Sequence, residues 1–312
     1  MKGDKLELVP LREAPALKDI DTETFAVWGA GLTFQQYRAL EQILRETPHC
    51  RRAHRTWGLM KAGERVASCE TFALPFVYRG LRYVAWVIAS VFVPEQHRGQ
   101  GYATRMFEEL THKAKAERIS VLLTFTERDT KIYKKLGFVE RRNYVARKNV
   151  PDSFVQWPAG VVPVDEKSPL SQRSGTDITF IVDEAITFWH RARSHLYARV
   201  FDERYVEVSG ARLRGSHILW QPEWRGSYLR LLYRSVPPPE NPQPEVAKRL
   251  MTAAVVHAQR FGLTYLEWWC PGPDNEPYAD SVEPNKIVTM ARSLDPQIPI
   301  DSFIPHDSVL WA

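Results

Sequence analysis

The sequence contains few cysteines and no long apolar segment. Only three of the 312 residues are cysteine, at positions 50, 69 and 270, and none of them belongs to a CxxC motif. This excludes a disulfide framework and a cysteine zinc site, and it favours a reducing compartment. No apolar run approaches the roughly 20 residues that a bilayer span requires, and the N-terminus has no signal-peptide pattern. We therefore expect a cytoplasmic protein with no membrane partner.

The sequence also lacks the motifs of a metal site or a nucleic-acid surface. Its nine histidines form no HxxxH or HxxE pattern, so we expect no metal. The net charge of +5 is modest, and its basic clusters lie at Arg51–Arg55 and Arg141–Lys148. Such clusters attract phosphate groups. The clusters alone do not distinguish the phosphates of a nucleic acid from those of a nucleotide cofactor. Because no aromatic residues are interleaved at base-reading spacing, we expect no nucleic acid.

The chain is long and rich in aromatic residues. At 312 residues it is about twice the usual domain size, so two packed units are expected. A segment rich in Pro, Gly and Ser marks the boundary. We predict a first domain at 1–150, a linker at 151–176 and a second domain at 177–312. The ten tryptophans and twelve tyrosines indicate a thick core and a ring-lined concave surface.

The order of predicted elements is the same in the two halves. In the first half, a helix beginning with the capping box of Thr33 and Gln36 precedes an antiparallel meander over 57–93. A loop, a helix over about 101–118, a strand over 119–125, a short helix and a final strand near 138–148 follow. In the second half, a helix over 183–201, a meander, a proline-rich loop, a helix and a strand repeat that order. We therefore predict two related mixed α/β domains.

The stretch PEQHRGQGYATRMFEEL, from Pro94 to Leu110, carries the first chemical signal. It lies between a predicted strand and a predicted helix. Unpaired backbone N–H groups and the positive end of the helix dipole stabilise a phosphate at such a place. Gly99 and Gly101 allow close approach, Ala103 keeps the next position small, and Arg98 adds a charge.

A second motif, Tyr133 to Phe138 (YKKLGF), follows one strand later. With the loop, it resembles the GCN5-related N-acetyltransferase (GNAT) superfamily over about residues 55–148. That signature is Gln/Arg-x-x-Gly-x-Gly/Ala after a strand, then Tyr-x-x-x-Gly-Phe. The resemblance implies a central mixed sheet flanked by helices. It also implies that the second domain is GNAT-like but has lost the loop, because VPPPENPQPE stands in its place.

The resemblance implies acetyl-CoA as co-substrate and assigns roles to residues. The segment from Arg98 to Ala103 would hold the pyrophosphate through its backbone amides, and Tyr133 would protonate the departing thiolate. Phe92 and Val93 would pair with the pantetheine arm. Thr126 stands where the family often has an asparagine that contacts pantetheine, which puts that contact in doubt. The residues assigned to acetyl-CoA are Phe92, Val93, Arg98, Gly99, Gln100, Gly101, Tyr102, Ala103, Thr126 and Tyr133.

The proton acceptor is left open by the sequence. An attacking amine must lose a proton, so a base or a water chain is needed. The candidates are Glu70 on the second meander strand, His97 in the loop, and Glu127 and Asp129 before Tyr133. A further hypothesis places the terminal carboxylate of Ala312 near the active site, because the tail HDSVLWA is apolar enough to pack inward.

The acceptor site is predicted from the aromatic residues of the second half. Carboxylates beside indole rings suit an aliphatic amine, and Glu223, Trp224 and Glu267 are the candidates for binding it. Arg225 could bind a carboxylate. The other tryptophans considered are Trp189, Trp220, Trp268 and Trp269.

Three functions remain open at this point. The order of domains resembles the fungal lysine N6-acetyltransferase family, which implies transfer of acetyl to the side-chain amine of free L-lysine. The alternatives are a protein or peptide lysine acetyltransferase and a catalytically silent acyl-CoA sensor. A monomer and a homodimer are both compatible with the sequence.

Overall fold

The structure is a computed structural model that describes residues 5–127, 130–164, 178–201, 207–235, 243–272, 276–300 and 303. It divides into two compact units. Unit 1 comprises Met1–Arg141 and Ile287–Ser302, and unit 2 comprises Arg142–Lys286 and Phe303–Ala312. Each unit therefore includes a segment from a distant part of the chain.

Unit 1 contains five helices and a mixed sheet among its described residues. The helices are α1 (Ala14–Trp28), α2 (Phe34–Arg45), α3 (Pro48–Ala53), α4 (Tyr102–Ala116) and α5 (Lys131–Lys135). The strands are β1 (Leu6–Leu11), β2 (His54–Lys61), β3 (Glu64–Tyr78), β4 (Leu81–Phe92), β5 (Val121–Thr126), β6 (Val139–Arg141) and, from the end of the chain, β15 (Val288–Ser293).

Unit 2 contains two helices and eight strands among its described residues. The helices are α6 (Glu184–Val200) and α7 (Pro244–Arg260). The strands are β7 (Tyr144–Asn149), β8 (Val162–Val164), β9 (Thr179–Phe180), β10 (Gly210–Leu213), β11 (Ser216–Glu223), β12 (Tyr228–Arg234), β13 (Tyr265–Cys270) and β14 (Ser281–Pro284).

The sheets of the two units have the same strand order. In unit 1 the order is β1-β2-β3-β4-β5-β15-β6, and in unit 2 it is β8-β10-β11-β12-β13-β7-β14. Each order contains one parallel pair at the same place, β4 with β5 and β12 with β13, while the other neighbours run antiparallel. A helix connects each parallel pair, α4 in unit 1 and α7 in unit 2. The prediction of two related mixed α/β units is confirmed.

The two sheets exchange strands between the halves of the chain, and β7 and β15 are the strands inserted between two neighbours. The chain leaves the sheet of unit 1 after β6 and, two residues later, enters the sheet of unit 2 as β7, between β13 and β14. Near its end it returns as β15, between β5 and β6. The single strand predicted near 138–148 is therefore two strands in two sheets. The units also differ from the contiguous limits predicted at 1–150, 151–176 and 177–312, because local patterns do not specify a strand's partner.

Local signals place the helices where the sequence predicted them. The Thr33 side chain accepts a hydrogen bond from the Gln36 amide at 3.2 Å, and the Gln36 side chain accepts one from the Thr33 amide at 2.8 Å. This capping box starts α2. The buried side of α4 carries Met106, Phe107 and Leu110, which pack on strand residues that include Trp57 and Trp86. Within the described ranges, no helix is long and apolar enough to cross a membrane.

The strand that returns from the chain end makes a testable contribution to unit 1. Met290 of β15 is fully buried in the core of that unit. Met290→Ala leaves a cavity, so we expect the free energy of unfolding to fall by about 2–5 kcal/mol, as measured by urea denaturation. Val139→Ala, on the neighbouring β6 where the side chain is exposed, is the matched control. Equal stability of the two variants would show that β15 is not part of the unit 1 core.

Candidate active site

The candidate site begins where two parallel strands of unit 1 separate. The pairing of β4 with β5 runs from Ala85 opposite Val121 to Ile88 opposite Thr124. Both strands continue beyond that point, to Phe92 and to Thr126. The backbone groups of β4 that follow Ile88 therefore lie at an opening in the sheet and can pair with an extended ligand.

A bulge in β4 lies at this opening. Ser68 pairs with Phe92 and Glu70 pairs with Ala89, so β4 has one residue more than β3 in between. Ser90 has a positive φ of 52°, which a non-glycine residue adopts only where the surroundings hold it. A bulge changes the direction of the strand and of its amide groups. Its position indicates that the strand is shaped for a ligand.

The glycine loop lies directly after the end of β4. A 3₁₀ turn at Glu95–His97 leads to Gly99 and Gly101, whose φ angles are +76° and +80°. Gly101 is the N-cap of α4. A Cβ built on either glycine would have nothing within 4 Å. The glycines therefore permit the backbone shape and leave space in front of the helix N-terminus, where the first N–H groups have no intrahelical acceptor.

Side chains of the loop bind the loop itself. Arg98 donates from Nε to the Val93 carbonyl at 3.2 Å, and Gln100 donates from Nε2 to the Gln96 carbonyl at 3.2 Å. Tyr102 is buried at the first position of α4 and packs edge-on against His97, while Ala103 is half-buried. These contacts hold the turn in its shape, and the start of α4 has no side-chain cap.

Tyr133 lies on the short helix α5 and packs against aromatic rings. Its ring is edge-on to Phe107 of α4, with centroids 5.3 Å apart, and to Phe138 at 6.1 Å. The second motif thus packs against α4, the helix that follows the glycine loop. Gly137 takes a φ of +78°, which closes the turn after α5.

Glu70 is the centre of a buried polar cluster beside the bulge. Its Oε1 lies 2.9 Å from His54 Nε2, and its Oε2 accepts a hydrogen bond from Ser90 Oγ at 2.7 Å. Arg45 Nη2 of α2 lies 3.8 Å from the same carboxylate. The side chains of His54 and Glu70 are only 9% and 14% exposed. The cluster therefore connects β2, β3, β4 and α2 at the opening.

The surroundings of Glu70 determine its protonation. Burial raises the pKa of this carboxyl, but the charge and hydrogen bond of His54, the charge of Arg45 and the hydrogen bond from Ser90 together lower it to about 2. A carboxylate with so low a pKa is a weak base. Its chemical use is to hold its neighbours and to stabilise a positive charge.

Acidic groups surround Arg45 on its other side. Asp21 of α1 is buried and accepts two hydrogen bonds from Arg45, at 3.1 and 2.7 Å, and Glu41 lies 3.6 Å away. Burial lowers the pKa of Arg45, but Asp21, Glu70 and Glu41 raise it above its usual value, so the guanidinium is charged. Three carboxylates, Asp21, Glu41 and Glu70, thus meet one guanidinium and one imidazole.

Comparisons with known proteins agree with this geometry. Residues 52–140 match the family model described as an acetyltransferase (GNAT) domain, and residues 164–295 match the LYC1 GNAT-like C-terminal domain. The chain belongs to the GNAT superfamily.

One curated relative and several solved structures add detail. A protein of Yarrowia lipolytica named "Lysine acetyltransferase" is 36% identical over 110 residues, which is 32% of this chain and 28% of the relative. The alignment therefore spans less than a third of that relative. A GCN5-related N-acetyltransferase from Kribbella flavida has a TM-score of 0.58 at 16% identity, with 94% of this chain and 72% of that chain covered. A tandem GNAT protein from the clavulanic acid biosynthesis pathway has a TM-score of 0.53 at 14% identity, covering 94% and 99%. These two structures share the fold.

In this GNAT chain the predicted acceptor carboxylates already have cationic partners. Glu223 and Glu267 lie 3.8 and 3.9 Å from the guanidinium of Arg230, and Arg147 Nε lies 3.0 Å from Glu267. Burial raises the pKa of Glu223, but Arg230 and Arg193 outweigh it and lower the pKa. The structure brings the two carboxylates together, within an ion-pair network of unit 2.

The predicted tryptophans of unit 2 mostly belong to its core. Trp224 is half-buried and donates to the Ser194 carbonyl at 3.1 Å, and Arg225 donates to the Tyr197 hydroxyl at 2.9 Å. The buried tryptophans are Trp189, Trp220, Trp268 and Trp269.

The other candidates for the proton acceptor lie apart from the cluster or outside the described residues. His97 is half-buried and its Nε2 lies 3.0 Å from the exposed Glu64, and Glu127 is exposed after the end of β5. Thr126 is buried at the last position of β5. Asp129 and Ala312 lie outside the described residues.

Sequence reasoning missed His54, Arg45 and Ser90. His54 belongs to the basic cluster Arg51–Arg55, which predicted phosphate binding. The structure pairs Arg51 with Glu46 at 2.6 Å and Arg55 with Glu117 at 2.6 Å, so much of that charge is neutralised locally. The sequence did contain one signal for this cluster. Glu70 is a charged residue within the apolar strand β3, and a buried charge requires a partner.

The Glu70 cluster makes stability depend on pH. The folded pKa of about 2 is below the ordinary value of 4.5, so its contribution is present above about pH 4.5 and is lost as pH falls toward 2. Glu70→Gln removes it, at most roughly 3 kcal/mol near pH 7. Urea denaturation at pH 7, 5, 4 and 3 should show the gap between wild type and variant shrinking below pH 4.5. Glu64→Gln, on the same strand but exposed, is the control. A gap that does not change with pH would contradict this role.

Proposed function

We propose that the chain transfers the acetyl group of acetyl-CoA to the N6 amine of free L-lysine. The observation that carries the proposal is the glycine loop at the start of α4, placed directly beside the opening between β4 and β5. The loop suits a phosphate and the opening suits an extended thioester arm. The two lie in the order in which these groups occur in acetyl-CoA.

The loop fits the pyrophosphate of acetyl-CoA. Gly99 and Gly101 have no neighbour within 4 Å of a built Cβ, so the space in front of the helix is free for a ligand among the described residues. Backbone N–H groups and the helix dipole stabilise negative charge there. Arg98 holds the loop through Val93 and contributes a positive charge.

The edge of β4 fits the pantetheine arm. Its residues from Ala89 to Phe92 lie beyond the last pair with β5, so their free N–H and C=O groups can bind an extended chain as a strand would. Val93 follows directly, and Thr126 lies at the end of β5 on the other side of the opening. The bulge at Ser90 changes the direction of β4, and an amide exposed there could stabilise the negative charge that the carbonyl oxygen develops during attack.

Acetyl-CoA supplies an activated acyl group, and residues of this chain move the protons. The amine nitrogen forms a bond to the carbonyl carbon, and the bond from that carbon to sulfur breaks. Tyr133 donates a proton to the departing sulfur. The amine loses its proton to His54, whose imidazole is held by Glu70 at 2.9 Å.

His54 suits this role better than Glu70 does. The Glu70 carboxyl has a pKa of about 2, so it accepts a proton poorly. It can instead hold the Nε2–H of His54 and stabilise the imidazolium that forms. Among the described residues, no hydrogen-bond partner is found for His54 Nδ1, which leaves that nitrogen to accept the proton.

The charge of the cluster favours an ammonium-bearing acceptor. Glu70 lies beside the opening and keeps its negative charge, so it can stabilise the positive charge of an incoming amine. A lysine amine as the acceptor is supported by the name of the Yarrowia lipolytica relative, "Lysine acetyltransferase". The choice of free lysine rests on the resemblance of the domain order to the fungal lysine N6-acetyltransferase family. The acceptor roles of Glu223, Trp224 and Glu267, and the role of the Ala312 carboxylate, stay predictions. So do a cytoplasmic location and a monomer or homodimer.

Acetyl-CoA turnover with a panel of amines tests the proposal. We expect thiol release to saturate with L-lysine and to be weaker with ornithine, polyamines, amino sugars and a lysine-containing peptide. Tyr133→Phe removes the proton donor, so kcat should fall by about 10²-fold or more with little change in KM for acetyl-CoA. Tyr83→Phe is the matched control. Tyr83 lies on β4, where its ring stacks on Phe76 of β3.

The panel also distinguishes the alternatives. Turnover of the peptide alone would assign the chain to protein lysine acetylation. Tight binding of acetyl-CoA without release for any amine would assign it to acyl-CoA sensing.

The pH dependence of the reaction tests His54. His54→Gln removes the proton acceptor, so kcat with L-lysine should fall by about 10²- to 10⁴-fold near pH 7. The loss should become smaller at high pH, where the amine is deprotonated in solution. Glu70, the charged partner of His54, and Arg45 beside that carboxylate remain in the variant. His112→Gln, on the exposed side of α4, is the control. An unchanged pH profile in His54→Gln would eliminate this role.

A further inference from the structure

Tyr133 lies on a helix that is too short to be stable by itself. The helix α5 has only five residues, Lys131–Lys135, whereas isolated helices shorter than about 12 residues are marginal in water. The position of Tyr133 therefore depends on contacts that hold α5 from outside. On one side these are the edge-on ring contacts with Phe107 and Phe138.

The C-terminal end of α5 is a Schellman motif that includes Tyr133. The Phe138 amide donates to the Tyr133 carbonyl at 3.0 Å, and the Gly137 amide donates to the Lys134 carbonyl at 3.0 Å. Gly137, with a φ of +78°, is the left-handed residue that this motif requires. The ring contact between Phe138 and Tyr133 is the apolar contact that often accompanies the motif. The shape of the turn at Gly137 thus fixes the backbone of Tyr133.

Arg292 of β15 packs on this turn. A Cβ built on Gly137 would lie 3.5 Å from Arg292 Nε and 3.7 Å from its Cζ. The guanidinium therefore borders the glycine on the side where any other residue would carry its side chain. A positive charge is also favourable beside the end of a helix, because the last carbonyl groups carry partial negative charge.

The same guanidinium is connected to α4. Arg292 is half-buried, and its Nη1 donates to Thr111 Oγ1 of α4 at 3.5 Å. Thr111 is buried and donates in turn to the Phe107 carbonyl at 2.7 Å. Phe107 is the residue of α4 whose ring contacts Tyr133. Arg292 therefore joins the turn after α5 to the helix turn that supports the tyrosine ring.

We propose, on the basis of the function proposed above, that Arg292 is a positioning residue for Tyr133. It holds the turn at Gly137 against α4 and so keeps the Tyr133 hydroxyl directed at the departing sulfur. Its effect is on the placement of the proton donor and not on the affinity for acetyl-CoA. The strand that returns from the end of the chain thus contributes to the reaction as well as to the core of unit 1.

A double-mutant cycle with acetyl-CoA and L-lysine tests this role. Arg292→Met keeps an unbranched side chain and removes the guanidinium, so kcat should fall by about tenfold or more, with KM for acetyl-CoA changed by less than about twofold. Because Arg292 acts through the Tyr133 hydroxyl, the same substitution should lower kcat by less than about twofold in the Tyr133→Phe background. Arg12→Met, at an exposed position directly after β1, is the matched control and should have wild-type kinetics.

Amide hydrogen exchange, measured by NMR, gives a readout that does not depend on turnover. The Gly137 and Phe138 amides close the turn, so they should exchange at least about threefold faster in Arg292→Met than in wild type or Arg12→Met. Unchanged exchange at both amides would overturn the proposal. If Arg292→Met does not fold, Thr111→Val takes its place in both experiments, because it keeps the side-chain shape and removes the acceptor for Nη1.

The outcomes separate this role from the proposed function. A loss of kcat in Arg292→Met that disappears in the Tyr133→Phe background would support the positioning role. Equal losses in the two backgrounds, with Tyr133→Phe itself impaired, would show a general structural effect and overturn the positioning role alone. A wild type that releases no thiol, or a Tyr133→Phe variant with normal kcat, would contradict the proposed function and this role with it.

Discussion

The parallel pairing between β4 and β5 ends after Ile88 and Thr124, and the candidate site depends on that limit. If the pairing continued, the N–H and C=O groups of β4 would be satisfied by β5 and no extended ligand could pair with them. The bulge at Ser90 turns β4 at the same point. The glycine loop then starts α4 beside the opening, so strand edge, bulge and helix N-terminus meet at one place in unit 1.

The buried cluster around Glu70 shows how this opening is held. Removing Asp21, Arg45 and Glu70 from water is costly, and their mutual contacts offset that cost only while the geometry is maintained. The cluster connects α1 and α2 with β3, and through Ser90 it also reaches the bulge of β4. The cluster therefore holds the bulge of β4 to β3 and to α2.

The two units have the same topology and use it differently. In unit 1 the glycine loop follows the separated strand, whereas in unit 2 a proline-rich segment stands in its place. The carboxylates Glu223 and Glu267 of unit 2 lie in an ion-pair network with Arg230 and Arg147.

The sequence alone determined the elements and the motif. The capping box of Thr33, the helical spacing of Met106 and Leu110, and the loop with Gly99 and Gly101 act over a few residues, so their physical effect is visible in the local pattern. The element order of the two halves was visible for the same reason. These signals were sufficient for the mixed α/β class and for the family.

Only the tertiary structure determined which strands pair and which side chains meet. The exchange of β7 and β15 between the sheets joins residues more than a hundred positions apart, and alternation specifies a strand's buried side without naming its neighbour. His54 beside Glu70, and the low pKa that results, depend on a bulge and on a register between strands. Burial and charge pairing are properties of the folded arrangement, and for that reason the sequence could name Glu70 but not the chemistry of its surroundings.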